Sequence, residues 1–339
     1  MKWDQLELDP RIRAAVRRAE LRRVGDVLCV SALDLQRSTG LSHSDVQHLL
    51  ATAAGACRRH PPVPAVLCGG QRELRLTVGC PVLDGLLRGG LPVGGVTELS
   101  GESGAGKTQL ALQLCLCVQY PTQHGGLDAG AVYICTEDPF PVRRLQQLIR
   151  EQSCLRSDVP PSLISSLQFS DHVYIEHTAD LDSLQVCLSR RVPLLLARGL
   201  VRLVVVDSVA ALFRSEFQAD DWLERNKRLL TFSSILHHLS QEFTTTVLCI
   251  NQVTDVFSRS DSSGPLSSNM SPALGLAWSN QVMVRLMMRR LQRTVVRGDQ
   301  SSALRRLEVV FAPHLARDGR DAAVWREGVG GVCSSDTET

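Results

Sequence analysis

This sequence predicts an α/β fold: a twisted, mostly parallel sheet covered by helices, preceded by a small all-helical N-terminal domain. Three observations predict it. From about residue 75 onward, short apolar runs alternate with helical stretches, the signature of strands joined by crossover helices. Gly101-Glu102-Ser103-Gly104-Ala105-Gly106-Lys107-Thr108 fits G-x-x-x-x-G-K-[ST] between one such strand and one such helix. Before about residue 57 the pattern is instead short helices separated by turn residues.

Residues 1–57 read as the helical domain. A helix over 11–19 begins at Asp9-Pro10, with proline in the first turn. Helices over 24–29 and 32–37 follow, the latter capped by Ser31. Thr39-Gly40-Leu41-Ser42 makes a turn, and Ser42 caps a last helix over 45–54. Short helices around a glycine turn suit helix-hairpin-helix contact with a DNA backbone; a small packing or partner-binding bundle fits the same pattern. Residues 58–74, with Arg58, Arg59, Pro61, Pro62, Pro64 and Gly69-Gly70, compose a linker.

The core is expected over 75–328. Its strands fall at 96–100, 131–136, 172–176, 200–207, 245–251, 281–288 and 304–313, and its helices at 108–119, 142–151, 181–191 and 222–242. Segment 255–271, rich in Ser, Asp and Gly, reads as a mobile loop, and residues 329–339 as a disordered tail.

Composition sets the outer limits. A chain of 339 residues suggests about two domains. With 44% hydrophobic and 21% charged residues it is an ordinary globular sequence with a sizeable core. It has no apolar run of about 18 residues, so no membrane span is expected. Asp4, Glu7 and Asp9 stand where a secretory signal needs an apolar stretch. The 11 cysteines are scattered, mostly in apolar runs and without a C-x-x-C pair, which points to reduced thiols in a cytosolic or nuclear protein. A net charge of +2 does not mark a nucleic-acid protein. Only Lys2, Lys107 and Lys227 are lysines, so arginine carries nearly all positive charge. Its planar fork suits phosphate, though composition bias produces the same excess.

The glycine-rich loop carries the chemistry. Glycines let successive backbone N–H groups turn inward toward phosphate oxygens. The helix beginning at Lys107 adds its positive end. Lys107 is expected to reach the β- and γ-phosphates of ATP, and the Thr108 hydroxyl to ligate Mg²⁺. A carboxylate must come from a neighbouring strand, and Leu203-Val204-Val205-Val206-Asp207 ends in one, so Asp207 is the second metal-side residue. Tyr133-Ile134-Cys135-Thr136-Glu137-Asp138 ends another strand in two acids. Glu137 is the expected general base, with Asp138 as the fallback. Asn251-Gln252 ends a further strand in amides that can sense a γ-phosphate, with Gln252 counted among the catalytic candidates; for either amide a structural role is an equal alternative.

With the P-loop, Glu137, Asp207 and Asn251-Gln252 in this order, the chain resembles the RecA-like recombinase core. Its helical unit and linker resemble the eukaryotic and archaeal strand-exchange branch of that family, and the likeness runs over about residues 1–315. Gly79-Cys80-Pro81-Val82-Leu83-Asp84, Gly89-Gly90-Leu91-Pro92, Lys107-Thr108-Gln109-Leu110-Ala111-Leu112-Gln113-Leu114-Cys115, Ala131-Val132-Tyr133-Ile134-Cys135-Thr136-Glu137-Asp138 and Ser271-Pro272-Ala273-Leu274-Gly275 are similar to a eukaryotic recombinase paralogue. The resemblance implies homologous-recombination repair of DNA double-strand breaks within a heteromeric complex. It implies ATP and Mg²⁺ as cofactors and weak DNA-dependent ATPase activity. Another recombinase paralogue is the implied partner, in a heterodimer, alongside single-stranded or branched DNA. The implied location is the nucleus, and also the cytoplasm. Residue by residue, Arg144 matches an arginine set against the adenine. Phe213, Arg214 and Phe217 match the first DNA-binding loop, and 255–271 the second.

The chain also departs from the family. Its linker has no Phe-x-x-Ala docking motif. Asp220 stands for a loop arginine, Phe311 for an aspartate that caps a neighbour's ATP, and Trp278 for a sensor histidine. Ser103-Gly104-Ala105 lacks the usual bulky or basic residues. These departures favour a partner-bound, ATP-gated accessory protein supporting the main recombinase filament. An ATP-stabilised adaptor with negligible turnover and an active strand-exchange ATPase are the alternatives. A hexameric helicase motor would need an arginine finger, which the sequence does not assign. Arg285, Arg289, Arg290, Arg293 and Arg297 form a run that suits a DNA or partner surface or a solvated face.

Overall fold

The computed structural model describes residues 3, 6, 8–19, 21, 24–57, 74–256 and 269–332. The chain divides into two units, Met1–Arg72 and Glu73–Thr339. The expected linker at 58–74 lies, save for residue 74, outside the described residues.

The first unit contains α1 (Pro10–Arg18), a 3₁₀ turn (Val24–Cys29), α2 (Ala32–Thr39) and α3 (His43–Cys57). Each start has a sequence reason. The Asp9 side chain accepts from the Arg11 amide, that of Ser31 from Asp34, and that of Ser42 from Asp45. Gly40 closes α2 at φ 68, where only a residue without Cβ is unstrained. Ile12, Val16, Val27, Leu35, Val46 and Leu49 fill this unit's own small core.

Among the described residues the second unit is built on thirteen strands: β1 (Arg75–Leu76), β2 (Leu91–Pro92), β3 (Val96–Ser100), β4 (Gly130–Cys135), β5 (Val173–His177), β6 (Val201–Asp207), β7 (Thr246–Asn251), β8 (Val253–Val256), β9 (Asn269–Pro272), β10 (Val284–Arg297), β11 (Gln300–Phe311), β12 (Gly319–Val324) and β13 (Val329–Gly331). Nine of them form one sheet in the order β13-β12-β11-β10-β3-β7-β6-β4-β5. From β10 through β5 every pairing is parallel; from β10 through β13 every pairing is antiparallel. The helices are α4 (Pro81–Leu86), α5 (Lys107–Cys117), α6 (Val142–Arg150), α7 (Gln152–Leu155), α8 (Pro161–Ser166), α9 (Leu181–Val186), α10 (Val192–Ala197), α11 (Val209–Ser215), α12 (Trp222–Glu242) and α13 (Gly275–Ser279).

Strands β3, β4 and β7 are buried at every position, which is why β4 and the middle of β7 read as apolar runs, while β3 buries Thr97, Glu98 and Ser100 as well. Alternate residues serve opposite layers. Tyr133, Leu203, Val205 and Ile250 join the core that holds α5. Val132, Ile134, Val204 and Val206 join the one that holds α11 and α12. Each fully buried Val or Leu contributes about 1.5–3 kcal/mol, and the sheet between two such layers holds its strand ends in place.

Four expectations need correction. The helix expected to end at 191 continues through a π turn (Cys187–Arg191) into α10. Pro193 lies just beyond, and the wider turn accommodates its missing N–H and bulky ring. The strands expected at 281–288 and 304–313 are halves of a long hairpin, β10–β11, turned at Gly298-Asp299. Gly298 has φ 58, the positive value a two-residue hairpin loop requires. The ends of the expected loop at 255–271 pair as β8 and β9, while 257–268 lie outside the described residues. Finally, β13 pairs with β12 where a disordered tail was expected to begin. Gln113 fixes it: the Val329 amide donates to its Oε1 at 2.7 Å, and its Nε2 donates to the Val329 carbonyl at 3.1 Å. Residues 333–339 lie outside the described residues.

Candidate nucleotide site

The loop 101–106 leaves the end of β3, central in the sheet, and opens directly into α5. A Cβ on Gly101 would stand 2.2 Å from the Met288 carbonyl oxygen, so only glycine lets the loop run this close to β10. Gly106 caps α5 at φ 106 and provides no side-chain cap, leaving the first amides of the helix as donors. Lys107 lies along this loop, its Nζ donating to the carbonyls of Gly101 at 2.7 Å and Glu102 at 2.8 Å. Burial pulls the Lys107 pKa down, against the opposing pull of Asp207, Glu102 and Glu137.

The parallel strands bring the other candidates to the same end of the sheet. The Thr108 Oγ1 donates to Asp207 Oδ2 at 2.9 Å, across 99 positions of sequence. Tyr133 donates its hydroxyl to the same oxygen at 2.5 Å. Burial raises the Asp207 pKa, and the hydrogen bonds from Tyr133 and Thr108, with the Lys107 charge, oppose the rise. The Asp207–Ser208 peptide bond is cis. Glu137 Oε2 accepts from Ser208 Oγ at 3.0 Å and from Gln252 Nε2 at 2.8 Å. The Oε1 of that glutamine accepts from Arg214, so one chain of contacts joins Glu137 to α11.

These residues line a cleft of about 980 Å³, within the range of ligand pockets. Gly101 to Gly104, Gly106 to Thr108, Glu137, Asp138, Arg144, Asp207 and Gln252 all face it. Ala105 is buried beneath, and the Glu102 carboxylate accepts from the Arg290 amide at 2.7 Å. The site therefore offers inward amides, one ammonium group, and a hydroxyl beside a carboxylate. Hard oxygen donors of this kind suit magnesium, and the amides and ammonium suit phosphate. Arg144 stands at the rim. It bonds Gln109 and Gln147, both at 2.6 Å, and the carbonyls of Trp325 at 2.7 Å and Arg326 at 2.9 Å.

The structure separates the two amides, places Trp278 and changes one assignment, that of Phe213. Asn251 is fully buried and turns into the core, donating to Glu98 Oε1 at 2.7 Å; Gln252 alone of the two amides faces the cleft. Trp278 is also buried and donates to Glu98, at 2.8 Å, so it stands away from the cleft. Phe213, expected to stack on DNA bases, is 1% exposed and packs between Phe217 and Phe232 at centroid distances of 6.3 and 5.9 Å. Its ring is committed to the core. Helical periodicity held the signal, since Val209, Leu212 and Phe213 fall at i, i+3 and i+4. Arg214 is exposed and Phe217 half-buried, and both remain accessible to a ligand.

Sequence reasoning missed Tyr133, Ser208, Arg305 and the turn at Trp325-Arg326. Tyr133 lies in a strand buried on both faces, where alternation carries no information. Arg305 lies on β11, which the sequence did not connect to the loop, yet its Nε donates to the Ala105 carbonyl at 2.9 Å.

Fold and site together define a RecA-like P-loop protein with nucleotide-binding machinery at the carboxyl ends of parallel strands. Residues 70–329 match the Rad51 family, and residues 3–57 match the XRCC3/RpoA-like helix-hairpin-helix domain. The chain belongs to the Rad51 family. It is 51% identical to DNA repair protein XRCC3 of Mus musculus over 343 residues, covering 98% of each chain. It is 52% identical to DNA repair protein XRCC3 of Bos taurus over 339 residues, again 98% of each. DNA repair protein RAD51 homolog 2 of Homo sapiens is 32% identical over 289 residues, 78% of this chain and 74% of that one.

Proposed function

We propose that this chain is an ATP-binding recombinase paralogue that mediates homologous-recombination repair of DNA double-strand breaks within a heteromeric complex. One observation carries the reading: Thr108 and Asp207, distant in sequence, meet at 2.9 Å beside the Lys107 loop. In this reading the amides of 101–106 and Lys107 bind the phosphates of ATP. Thr108 and Asp207 hold Mg²⁺, with Tyr133 orienting the carboxylate. When bound, Mg²⁺ supplies positive charge beside the phosphate oxygens. Glu137, held by Ser208 and Gln252, takes the proton of an attacking water in slow hydrolysis. The Gln252–Arg214 contact carries the state of that site to α11 and the segment after it, where Arg214 and Phe217 meet DNA. Another paralogue is the expected partner, and the nucleus, with some cytoplasmic protein, the expected location.

The test is Lys107→Ala. The variant should keep its circular dichroism spectrum, lose saturable ATP binding and fail to restore break repair in deficient cells. Unchanged ATP affinity refutes the site. DNA affinity should fall steeply with salt where Arg contacts dominate, and a flat response argues against that arm. ATP turnover with and without single-stranded DNA separates a weak ATPase from an adaptor in which ATP only stabilises the fold.

A further inference from the structure

The hairpin β10–β11 places two arginine pairs side by side: Arg289 faces Arg306, and Arg290 faces Arg305. Like charges directly opposite on paired strands destabilise a sheet unless something neutralises them. The first pair is neutralised. Arg289 binds Glu308 at 2.9 Å, and Arg306 binds Asp321 at 2.7 Å. For the second pair no carboxylate lies within ion-pair distance among the described residues. Arg305 bonds only neutral acceptors: the Ala105 carbonyl at 2.9 Å, Ser302 Oγ at 3.0 Å and the Ala303 carbonyl. Glu102, the nearest acid in the loop, spends its contact on the Arg290 backbone amide.

This second pair lies against the phosphate loop. Arg305 lines the cleft. A Cβ placed on Gly106 would be 3.2 Å from Arg305 Nε, and one on Gly104 would be 3.6 Å from Arg290 Nη1. Burial and the neighbouring Arg290 charge both pull the Arg305 pKa down, the mark of a cation without its counter-charge. An anion entering the cleft that Arg305 lines would supply the missing charge. Ser302 extends the contact, since its Oγ also accepts from the Val324 amide at 3.1 Å, next to the Trp325 turn that holds Arg144.

We propose that Arg305, assisted by Arg290, is a second phosphate-binding element of the nucleotide site, supplied by the same chain. Through it the antiparallel hairpin responds to the number of phosphates on the nucleotide. The proposal rests on the ATP-binding reading above and adds that triphosphate and diphosphate are told apart from the β11 side.

The test measures ATP and ADP affinity of the full-length protein, wild type against Arg305→Gln, Arg290→Gln and Arg305→Lys, by calorimetry and by nucleotide-induced shift in melting temperature. Arg305→Gln should weaken ATP about tenfold to a hundredfold, the cost of one charge-assisted contact, and weaken ADP less. Arg305→Lys should recover part of the loss. Arg290→Gln, at an exposed site, should raise the melting temperature of the nucleotide-free protein by about 1–3 °C by relieving repulsion, while shrinking the shift produced by ATP. If Arg305→Gln weakens ATP and ADP equally and Arg290→Gln changes neither, Arg305 merely shapes the loop through Ala105 and the proposal is wrong. If both variants bind both nucleotides as wild type does, the proposal fails while the ATP-binding reading stands. A wild-type protein that binds no ATP defeats both.

Discussion

The central sheet has two halves that solve different problems. The parallel half, β3, β7, β6, β4 and β5, lies between two helical layers and delivers Lys107, Asp207, Glu137 and Gln252 to one end. The antiparallel half, β10 to β13, carries a long polar hairpin and a satellite core of Val295, Leu304, Ala323 and Trp325. One half places the groups by burial; the other holds the cleft wall by paired charges and side-chain hydrogen bonds. Burial gives a position that few substitutions can shift, whereas a polar wall can respond to what enters the cleft.

Glu98 is where the two halves are joined, and its loss should have an effect as large as any in the core. It is fully buried on β3, with Asn251 and Trp278 on one oxygen and Arg285 of β10 on the other. Glu98→Ala leaves Arg285 as an uncompensated cation in a nearly buried site and should cost about 3–5 kcal/mol. Urea unfolding measures it. A cost below about 1 kcal/mol would mean that the halves do not depend on this contact.

Within the parallel half, Phe213→Ala should cost about 3–5 kcal/mol and leave a cavity beside Phe232. Phe217→Ala, at a half-buried ring, should cost clearly less and lower DNA affinity instead. The opposite ranking in DNA binding would return Phe213 to the interface.

The antiparallel half should give way more locally. Trp325 is 4% exposed and lies under Arg297, whose guanidinium stands 4.3 Å from the ring centroid. Trp325→Ala should cost about 3 kcal/mol and loosen the carbonyls that hold Arg144. Hydrogen exchange should then rise in β12 and β13 while β3, β6 and β7 stay protected. Uniform exchange across the sheet would show that the halves unfold as one.

The same division decides what the sequence revealed. Strands β4, β6 and β7 were legible because burial on both faces turns them into apolar runs, and polar residues at or just past their ends, Glu137, Asp207 and Gln252, face the site. The P-loop was legible because phosphate binding demands its glycines. The hairpin was not, since β10 and β11 alternate apolar with charged residues and their arginines resemble a solvated face. Nothing local says that Arg306 meets Asp321 while Arg305 meets the P-loop, because those partners lie 15 and 200 residues away. Asn251 and Gln252 teach a related lesson: adjacent amides at a strand end point to opposite sides, and only one can serve the cleft.

The smallest effect tests the hairpin at its tip. Gly298 turns β10 into β11 at φ 58, and a Cβ there would meet nothing within 4 Å. The cost of Gly298→Ala is therefore conformational alone, about 1–2 kcal/mol, and Gly298→Asn should cost less because asparagine tolerates positive φ. Since the turn fixes the register that sets Arg290 opposite Arg305, the alanine variant should also reduce discrimination between ATP and ADP. Chemical denaturation and nucleotide titration on the same sample read both effects. Loss of stability with discrimination unchanged would show that the register is held by β3 and the bulge after Arg290, and that the turn only closes the chain.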